Sequence, residues 1–196
     1  MDLALFDFDG TITTRDMYVD FVSAAVPRHR LMVGKCALAP VVLGYKAGLV
    51  PVSMIRACVA WTAFRGMRAD CAYQAGIAFA RDVLPGVVRQ QALERIGLHR
   101  ARGDTVCVVS GNFDFHLAPW TAAHGLELIC SRLQTHNGVL TGPYEGAQCV
   151  GEEKARRSRE RFDTTRFERV HAYGDTHEDR AMLALADVRT YQWQPA

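Results

Sequence analysis

The chain lacks the features that would place it in several other classes of protein. Its six cysteines are scattered over 196 residues and none forms a Cys-x-x-Cys pair, so neither a zinc site nor a disulfide framework is indicated. The net charge is +2, and the main basic cluster, residues 154–159, is typical of a solvated helix face. We therefore expect no nucleic-acid partner.

The N-terminal residues show no signal sequence, and no apolar run is long enough to span a bilayer. Asp2 leads straight into the first apolar run, so a reducing cytoplasm is the expected location. The segment from Leu31 to Val52 is mostly apolar, but its uninterrupted part, Cys36 to Tyr45, is too short for a membrane span. We predict a buried pair of helices here, with peripheral contact at a membrane surface as the alternative.

What the chain does contain is an alternation of apolar strand-like runs with helical segments. Apolar runs without polar interruption are typical of strands that are buried on both faces of a parallel sheet. The alternation predicts an α/β fold with a doubly wound parallel sheet. The predicted strands are 3–6, 105–109, 126–130, 168–173 and 188–191. Asn137-Gly138 predicts a separate hairpin over residues 132–142.

Residues 14–84 differ from the rest because they show no strand alternation. The spacing of their apolar residues predicts helices near 15–22, 51–61 and 68–83. Since nothing requires this block to join the sheet, we interpret it as an inserted helical cap. The predicted division is a core of residues 1–13 and 85–196 and a cap of residues 14–84.

Two carboxylates follow the first strand directly. Asp7 and Asp9 would share one face if the strand continued, and Gly10 lets the backbone turn away sharply. Crowded acids repel each other unless a cation or proton lies between them, and open α/β sheets bind ligands where their strands end. The pattern indicates a divalent metal and a carboxylate nucleophile, with an ordinary Asp-Gly turn as the alternative.

Three further polar groups end predicted strands or begin predicted helices. Ser110 suits an anionic oxygen, although Ser110 or Asn112 could simply cap a helix. Lys154 is a candidate phosphate binder or a surface lysine, and Asp175, one helical turn before Asp179, is a candidate ligand or a helix cap. Because the ends of parallel strands meet at one edge, four coincidences there favour a single site.

Taken together, these motifs resemble those of the haloacid-dehalogenase-like superfamily of phosphatases. The helical block resembles the type-1 cap of that superfamily, and the hairpin with the Lys154 helix is similar to its phosphoserine-phosphatase-like subfamily. The apolar cap and the terminal Tyr191-Gln192-Trp193 resemble the phosphatidylglycerophosphatase C branch. The motifs are Asp7-Phe8-Asp9-Gly10-Thr11, Ser110, Lys154 and Gly174-Asp175-Thr176-His177-Glu178-Asp179.

The resemblance implies a Rossmannoid core and a Mg²⁺-dependent phosphomonoester hydrolase. Asp7 would be the nucleophile that forms an aspartyl-phosphate, and Asp9 would protonate the leaving alcohol and then activate water. Mg²⁺ would bind Asp7, the backbone carbonyl of Asp9 and Asp175, and Asp179 would support this arrangement. The residues that hold phosphate oxygens would be Thr11, Ser110, Gly111 and Lys154.

The residues around these motifs bear on the substrate. Glu178 stands where phosphoserine phosphatases usually carry an asparagine, which argues against an amino-acid substrate. Asp16 is placed to bind a substrate amine or to cap a helix, and Arg56 to bind a second anionic group or to lie in solvent. The expected substrate is a small phosphorylated metabolite or a lipid phosphate. Phosphoryl transfer to an alcohol and non-catalytic binding of a phosphate ligand are the alternatives.

Overall fold

A sheet of six strands forms the centre of the structure, a computed structural model that describes residues 1–196. In chain order, all the strands are β1 (Leu3–Phe6), β2 (Thr105–Phe113), β3 (Glu127–Ser131), β4 (Leu133–His136), β5 (Val139–Tyr144), β6 (Val170–Gly174), β7 (Val188–Tyr191) and β8 (Gln194–Pro195). The sheet has the order β3-β2-β1-β6-β7-β8, and β4 pairs with β5 as a separate antiparallel hairpin. Only β7 and β8 pair antiparallel within the sheet. The predicted α/β fold with a mostly parallel sheet is confirmed.

Helices cover both faces of this sheet. The longer ones are α1 (Tyr18–Ala25), α2 (Arg28–Lys46), α3 (Val52–Phe64), α4 (Ala69–Asp82), α5 (Gln90–Ala101), α6 (Asp114–His124), α7 (Glu152–Arg161) and α8 (Arg180–Leu183). The first four, named here the helical insert, lie between β1 and α5, where the sequence predicts helices. The division into a cap domain and a core domain stays a prediction.

The sheet is buried on both faces, which explains its unbroken apolar runs. Successive residues of β1 point to opposite faces: Phe6 packs in the cluster that includes α5, α6 and the helical insert, whereas Leu5 packs with α8. Phe21 of α1 lies against Phe113 of β2, with ring centroids 6.3 Å apart. The helical insert therefore shares a hydrophobic core with one face of the sheet.

The two chain segments that connect the helical insert to the sheet pair with each other. The main-chain N–H of Thr14 donates to the carbonyl of Val87 at 2.9 Å, and that of Arg89 donates to the carbonyl of Ile12 at 2.8 Å. Thr13 and Val88 form an antiparallel bridge between them. The chain thus enters and leaves the helical insert through one short two-stranded ladder.

The segment from Leu31 to Val52 is where the structure differs most from the prediction. It contains one continuous helix, α2, followed by a turn, and no residue of α2 is buried. The predicted buried pair of helices is therefore wrong, because apolar composition does not specify which faces of a helix receive a partner. None of the helices has the length and hydropathy that crossing a membrane requires.

Candidate active site

Asp7 follows β1 directly, at the edge where the parallel strands end. Its main-chain N–H donates to the carbonyl of Tyr173 in β6 at 2.9 Å, which extends the ladder by one residue and fixes the position of the side chain. Lys154 Nζ donates to Asp7 Oδ1 at 2.5 Å. The Lys154 side chain is 4% exposed, so Lys154 is not a surface lysine.

The ammonium of Lys154 is shared with a second carboxylate, that of Asp179, at 2.6 Å. Burial by itself lowers the pKa of Lys154, but the carboxylates of Asp7 and Asp179 more than offset this and raise the pKa above its ordinary value. The other oxygen of Asp179 accepts hydrogen bonds from the main-chain N–H groups of Asp175 (3.1 Å) and Thr176 (3.0 Å). Thr176, not Asp175, caps the following helical turn.

The loops after β1 and β6 meet at Gly10 and Asp175. Gly10 has a φ of +78°, and a Cβ atom there would lie 2.1 Å from Asp175 Oδ2, so any other residue would be strained and would have to displace the Asp175 carboxylate. The hydroxyl of Thr11 donates to Asp175 Oδ1 at 3.3 Å. Because this hydroxyl is used to place Asp175, its predicted contact with phosphate has no support from the geometry.

Three carboxylates converge behind these loops. One oxygen each of Asp7, Asp175 and Asp179 lie within 4.8 Å of one another. Burial, and then the charge of Asp179, raises the pKa of Asp175. Since Lys154 pairs with only two of the three carboxylates, those of Asp7 and Asp179, the negative charge of the group is only partly offset. Oxygen ligands with excess negative charge fit a hard divalent cation. Both oxygens of Asp179 already accept hydrogen bonds, which leaves Asp7 and Asp175 as the available side-chain ligands.

Asp9 is held from two sides. Its Oδ1 accepts a hydrogen bond from the main-chain N–H of Met17 at 3.0 Å, and its Oδ2 accepts one from the side-chain amide of Asn112 at 2.7 Å. Burial, and then the nearby charge of Asp16, raises the pKa of Asp9 to about 7. A carboxyl group that titrates near neutrality can both donate and accept a proton.

Asn112 is a site residue that sequence reasoning missed. The sequence indicates Asn112 only as a helix cap, but β2 continues to Phe113, and Phe113 caps α6. The signal that could have identified Asn112 is its spacing of two residues from Ser110. Ser110 is also buried in β2, and its hydroxyl accepts a hydrogen bond from the main-chain N–H of Asn112 at 3.1 Å. Neither residue acts as the predicted alternative, a helix cap.

An ion pair lies at the rim of the site. Arg56 donates to Asp16 Oδ2 at 3.1 Å, and Asp16 Oδ1 accepts a hydrogen bond from the main-chain N–H of Tyr18 at 2.7 Å. Asp16 therefore contacts the first residue of α1, although Met17 and not Asp16 occupies the N-cap position of that helix. The Arg56 side chain is 16% exposed and ion-paired, so it is not the solvated arginine of the alternative.

These groups line one cavity of about 260 Å³ that contains no apolar side chain. The predicted site residues that line it are Asp7, Asp9, Asp16, Arg56, Ser110, Gly111, Lys154 and Asp175. Thr11 and Asp179 do not line it. Further lining residues are Gly10, Thr14, Arg15, Arg89, Thr176 and Glu178. Thr14, Arg15 and Arg89 come from the paired connections of the helical insert, and no sequence pattern marks them.

Comparison with known proteins gives the family and the fold of the chain. The family model described as haloacid dehalogenase-like hydrolase matches residues 4–184. Protein CicA of Caulobacter vibrioides is 30% identical over 197 residues, which cover 97% of this chain and 85% of CicA. A solved protein of unknown function from Bordetella pertussis Tohama I is similar with a TM-score of 0.76 and 20% identity, over 97% of this chain and 89% of that chain.

A phosphoserine phosphatase solved as an analogue of its phospho-aspartyl intermediate is similar with a TM-score of 0.66 and 20% identity, over 96% of this chain and 85% of that chain. These structural similarities establish the fold. The match of the family model extends from β1 to the residues just after α8 and therefore includes all four motifs. The chain belongs to the haloacid dehalogenase-like hydrolases.

Proposed function

We propose that the protein is a phosphatase that hydrolyses phosphomonoesters through an aspartyl-phosphate on Asp7. The observation that carries this proposal is the contact of the Asp7 carboxylate with Lys154 at 2.5 Å in an entirely polar cavity. A phosphate monoester is a dianion near neutral pH, so a carboxylate can attack it only where positive charge offsets the repulsion. Lys154 supplies part of that charge.

Mg²⁺ would supply the remainder. Its ligands would be the carboxylates of Asp7 and Asp175 and the main-chain carbonyl of Asp9, an all-oxygen set that suits this ion. When bound, the metal would polarise the phosphoryl group and offset the charge of the attacking carboxylate. Asp179 would act indirectly, by holding Lys154 and the loop that carries Asp175.

The steps then follow from the chain's own groups. An Asp7 oxygen bonds to phosphorus while the bond from phosphorus to the substrate alcohol breaks, and protonated Asp9 gives its proton to the leaving oxygen. Ionised Asp9 then takes a proton from the water that attacks the aspartyl-phosphate, which releases phosphate and restores Asp7. The phosphate oxygens would be held by Ser110, Gly111 and Lys154.

Hydrolytic dehalogenation needs no acid at the position of Asp9, so phosphate ester hydrolysis is the better fit.

Two substrate classes are compatible with the rim of the cavity, a small phosphorylated metabolite and a lipid phosphate. Asp16 and Arg56 offer charges of both signs, and Glu178 adds a negative charge. A substrate amine would be attracted by Asp16, whereas a second anionic group would be attracted by Arg56. A screen across amino-acid, sugar, nucleotide and lipid phosphates would separate these classes.

Replacement of Asp7 tests the proposal. The Asp7→Asn variant should release phosphate from p-nitrophenyl phosphate at least about a thousandfold more slowly than the wild type, because the amide cannot act as the nucleophile. Asp82→Asn is the matched control, since Asp82 is exposed and pairs only with its neighbour Arg81. EDTA should abolish wild-type turnover and Mg²⁺ should restore it. Full turnover by Asp7→Asn would rule out the proposed mechanism.

Beryllofluoride with Mg²⁺ tests the same site without turnover, because this anion mimics a phosphoryl group on a carboxylate. At saturation it should raise the Tm of the wild type by about 5 °C or more and leave the Tm of Asp7→Asn unchanged. If the wild type showed neither stabilisation nor turnover, a non-catalytic phosphate-binding module would be the better description. Phosphoryl transfer would instead appear as new phosphate esters when alcohols are added.

A further inference from the structure

Helix α2 is apolar around its whole circumference, yet it buries no residue. Eleven of its 19 residues are of apolar type, including tyrosine and cysteine, and they are not confined to one stripe. Leu31 and Leu38 line a groove that faces α1 and α3 and are partly covered, whereas Met32, Val33 and Leu43 are 70%, 69% and 66% exposed. A helix that is apolar on all sides is normally buried in a core or a membrane.

The exposed apolar surface is contiguous. Between α1, α2 and α3 lies a groove of about 520 Å³ whose lining is mostly apolar. The apolar residues of the groove include Val19, Val22, Leu31, Leu38, Val42 and Val59. Beyond the end of α2, the apolar side chains of Leu49 and Met54 are also exposed, by 81% and 51%. Single exposed apolar residues are ordinary, but a contiguous patch of this kind marks a surface that binds something.

The same part of the chain has an unusual distribution of charge. No aspartate or glutamate occurs between Asp20 and Asp70. This stretch contains seven basic residues, Arg28, Arg30, Lys35, Lys46, Arg56, Arg65 and Arg68. The rest of the chain then has 16 basic residues against 21 acidic ones. Of the seven, only Arg56 and Arg68 pair with a carboxylate. The apolar surface is therefore set within a region of unpaired positive charge.

We propose that residues 28–54, which comprise α2, the turn after it and the start of α3, dock on the surface of an anionic lipid bilayer. Apolar side chains would enter the boundary between head groups and acyl chains, while the long basic side chains reach the head-group phosphates. Each basic residue near an anionic surface adds to the attraction. A second copy of the chain would bring the same four basic residues, Arg28, Arg30, Lys35 and Lys46, to the interface, so the charges favour lipid over self-association.

The docking region is joined through α3 to the rim of the cavity. Leu49 lies three residues before α3, and α3 carries Arg56, which lines the cavity and pairs with Asp16. A chain docked through residues 28–54 would therefore hold the rim next to the head groups. In this respect the inference rests on the proposed function, because it makes phosphomonoesters of membrane lipids the substrates that a docked enzyme would meet.

Sedimentation with vesicles tests the docking directly. The full chain should pellet with vesicles of equal parts phosphatidylserine and phosphatidylcholine and should stay in solution with phosphatidylcholine alone. High salt should weaken the binding because surface charges are screened. The double variant Leu43→Glu with Leu49→Glu should bind the anionic vesicles at least about tenfold more weakly, because two apolar groups are lost and two negative charges are gained.

A matched control tests whether vesicle binding depends on where the glutamates are introduced and not only on the change in charge and apolar content. The double variant Ile77→Glu with Leu98→Glu makes the same kind of change at two other exposed apolar residues, 45% and 56% exposed, in α4 and α5. It should bind anionic vesicles as the wild type does. Equal loss of binding in both double variants, or equal binding of the wild type to neutral and anionic vesicles, would overturn the proposal.

Turnover of p-nitrophenyl phosphate, a soluble substrate, makes failure of docking distinguishable from failure of the proposed hydrolysis. Both double variants should retain wild-type turnover, since none of the four residues lines the cavity. A wild type that hydrolyses this substrate but ignores anionic vesicles would overturn docking alone. If light scattering found a dimer that Leu43→Glu with Leu49→Glu dissociates, and no vesicle binding, a second copy would be the occupant and the lipid proposal would be wrong.

Discussion

The side-chain amide of Asn112 donates a 2.7 Å hydrogen bond to Asp9 across the boundary between β2 and the loop that follows β1. Asn112 is almost fully buried, and its own side-chain oxygen has no hydrogen-bond partner. Buried polar atoms ordinarily have a hydrogen-bond partner. Since the side-chain oxygen of Asn112 lacks one, Asn112 must be held in place by its other contacts. Here the contact is with the group that we propose as the acid and base.

Replacing Asn112 by aspartate should therefore impair catalysis. The Asn112→Asp variant removes the donor to Asp9 and places a like charge beside it, so kcat for p-nitrophenyl phosphate should fall by about a hundredfold or more. Asn137→Asp is the matched control, because Asn137 lies in the exposed turn between β4 and β5 and aspartate tolerates its positive φ. A wild-type kcat in Asn112→Asp, with an unchanged Tm, would contradict the role given to this hydrogen bond.

Removal of the Lys154 ammonium should destabilise the fold as well as abolish turnover. In Lys154→Met, the buried carboxylates of Asp7 and Asp179 lose their common partner, and breaking a buried ion pair in this way costs about 3–5 kcal/mol. Urea unfolding without Mg²⁺ measures the loss. Lys35→Met, a change of the same type on the exposed helix α2, should cost far less. Equal stability of the two variants would show that the Lys154 contacts are not needed.

Two glycines separate the effect of backbone conformation from that of close packing. Gly10 and Gly103 have nearly the same φ, +78° and +76°, but a Cβ at Gly103 would meet nothing within 4 Å, whereas one at Gly10 would overlap Asp175. Gly103→Ala should cost about 1–2 kcal/mol of stability and leave turnover intact. Gly10→Ala should cost more and also abolish turnover, because Asp175 must move. Similar turnover in both variants would contradict the close approach of the two loops.

His116 should make stability depend on pH. Its ring is fully buried among Phe21, Phe79 and Phe8, neither ring nitrogen has a partner, and burial lowers its pKa to about 3. The unfolded chain, with a pKa near 6.5, binds this proton more readily. The stability that depends on neutral His116 is therefore complete above about pH 6.5 and is lost as the pH falls toward 3, by about 2 kcal/mol at pH 5.

The variant His116→Leu removes this titration. Its free energy of unfolding, compared with that of the wild type, should shift in favour of the variant by about 2 kcal/mol between pH 7 and pH 5. His136→Leu, at an exposed position of β4, should keep the pH dependence of the wild type. Parallel pH profiles for the wild type and His116→Leu would show that His116 is not the source.

The elements that the sequence predicts well are those in which local pattern and burial agree. The apolar run before Asp7 is buried on both faces, as β1, and the Asn137-Gly138 turn closes the hairpin of β4 and β5. Ser110 and Asp175 come together because each lies near the end of a parallel strand at the same edge of the sheet, and Lys154 reaches them from the first turn of α7. Sequence spacing is sufficient to predict the place of a residue in the site where that place is determined by the strand to which the residue belongs.

Other features depend on contacts between distant segments, which no local pattern records. Asn112 reads as a helix cap until β2 is seen to extend past Ser110 toward Asp9. Arg89 lines the cavity only because its segment pairs with residues 12–14. Helix α2 has the composition of a buried helix but lies on the surface. Composition shows how apolar a segment is, but it does not show which other element, if any, packs against that segment.

The ladder that joins the helical insert to the sheet has a consequence for proton transfer. Because Thr13 and Val88 are paired, the two connections of the insert form one short ladder, which would serve as the axis if the insert moved away from the sheet. Met17, just beyond the axis, donates its N–H to Asp9 and so favours the ionised carboxylate, whereas Asn112 stays with the sheet. Outward movement of the insert would remove this donor, but it would also expose Asp9 to solvent and take away the charge of Asp16, the two main causes of its raised pKa, so the pKa of Asp9 would fall toward its ordinary value. Asp9 would then hold a proton near neutral pH only while the insert lies against the sheet, which ties proton donation to the closed arrangement.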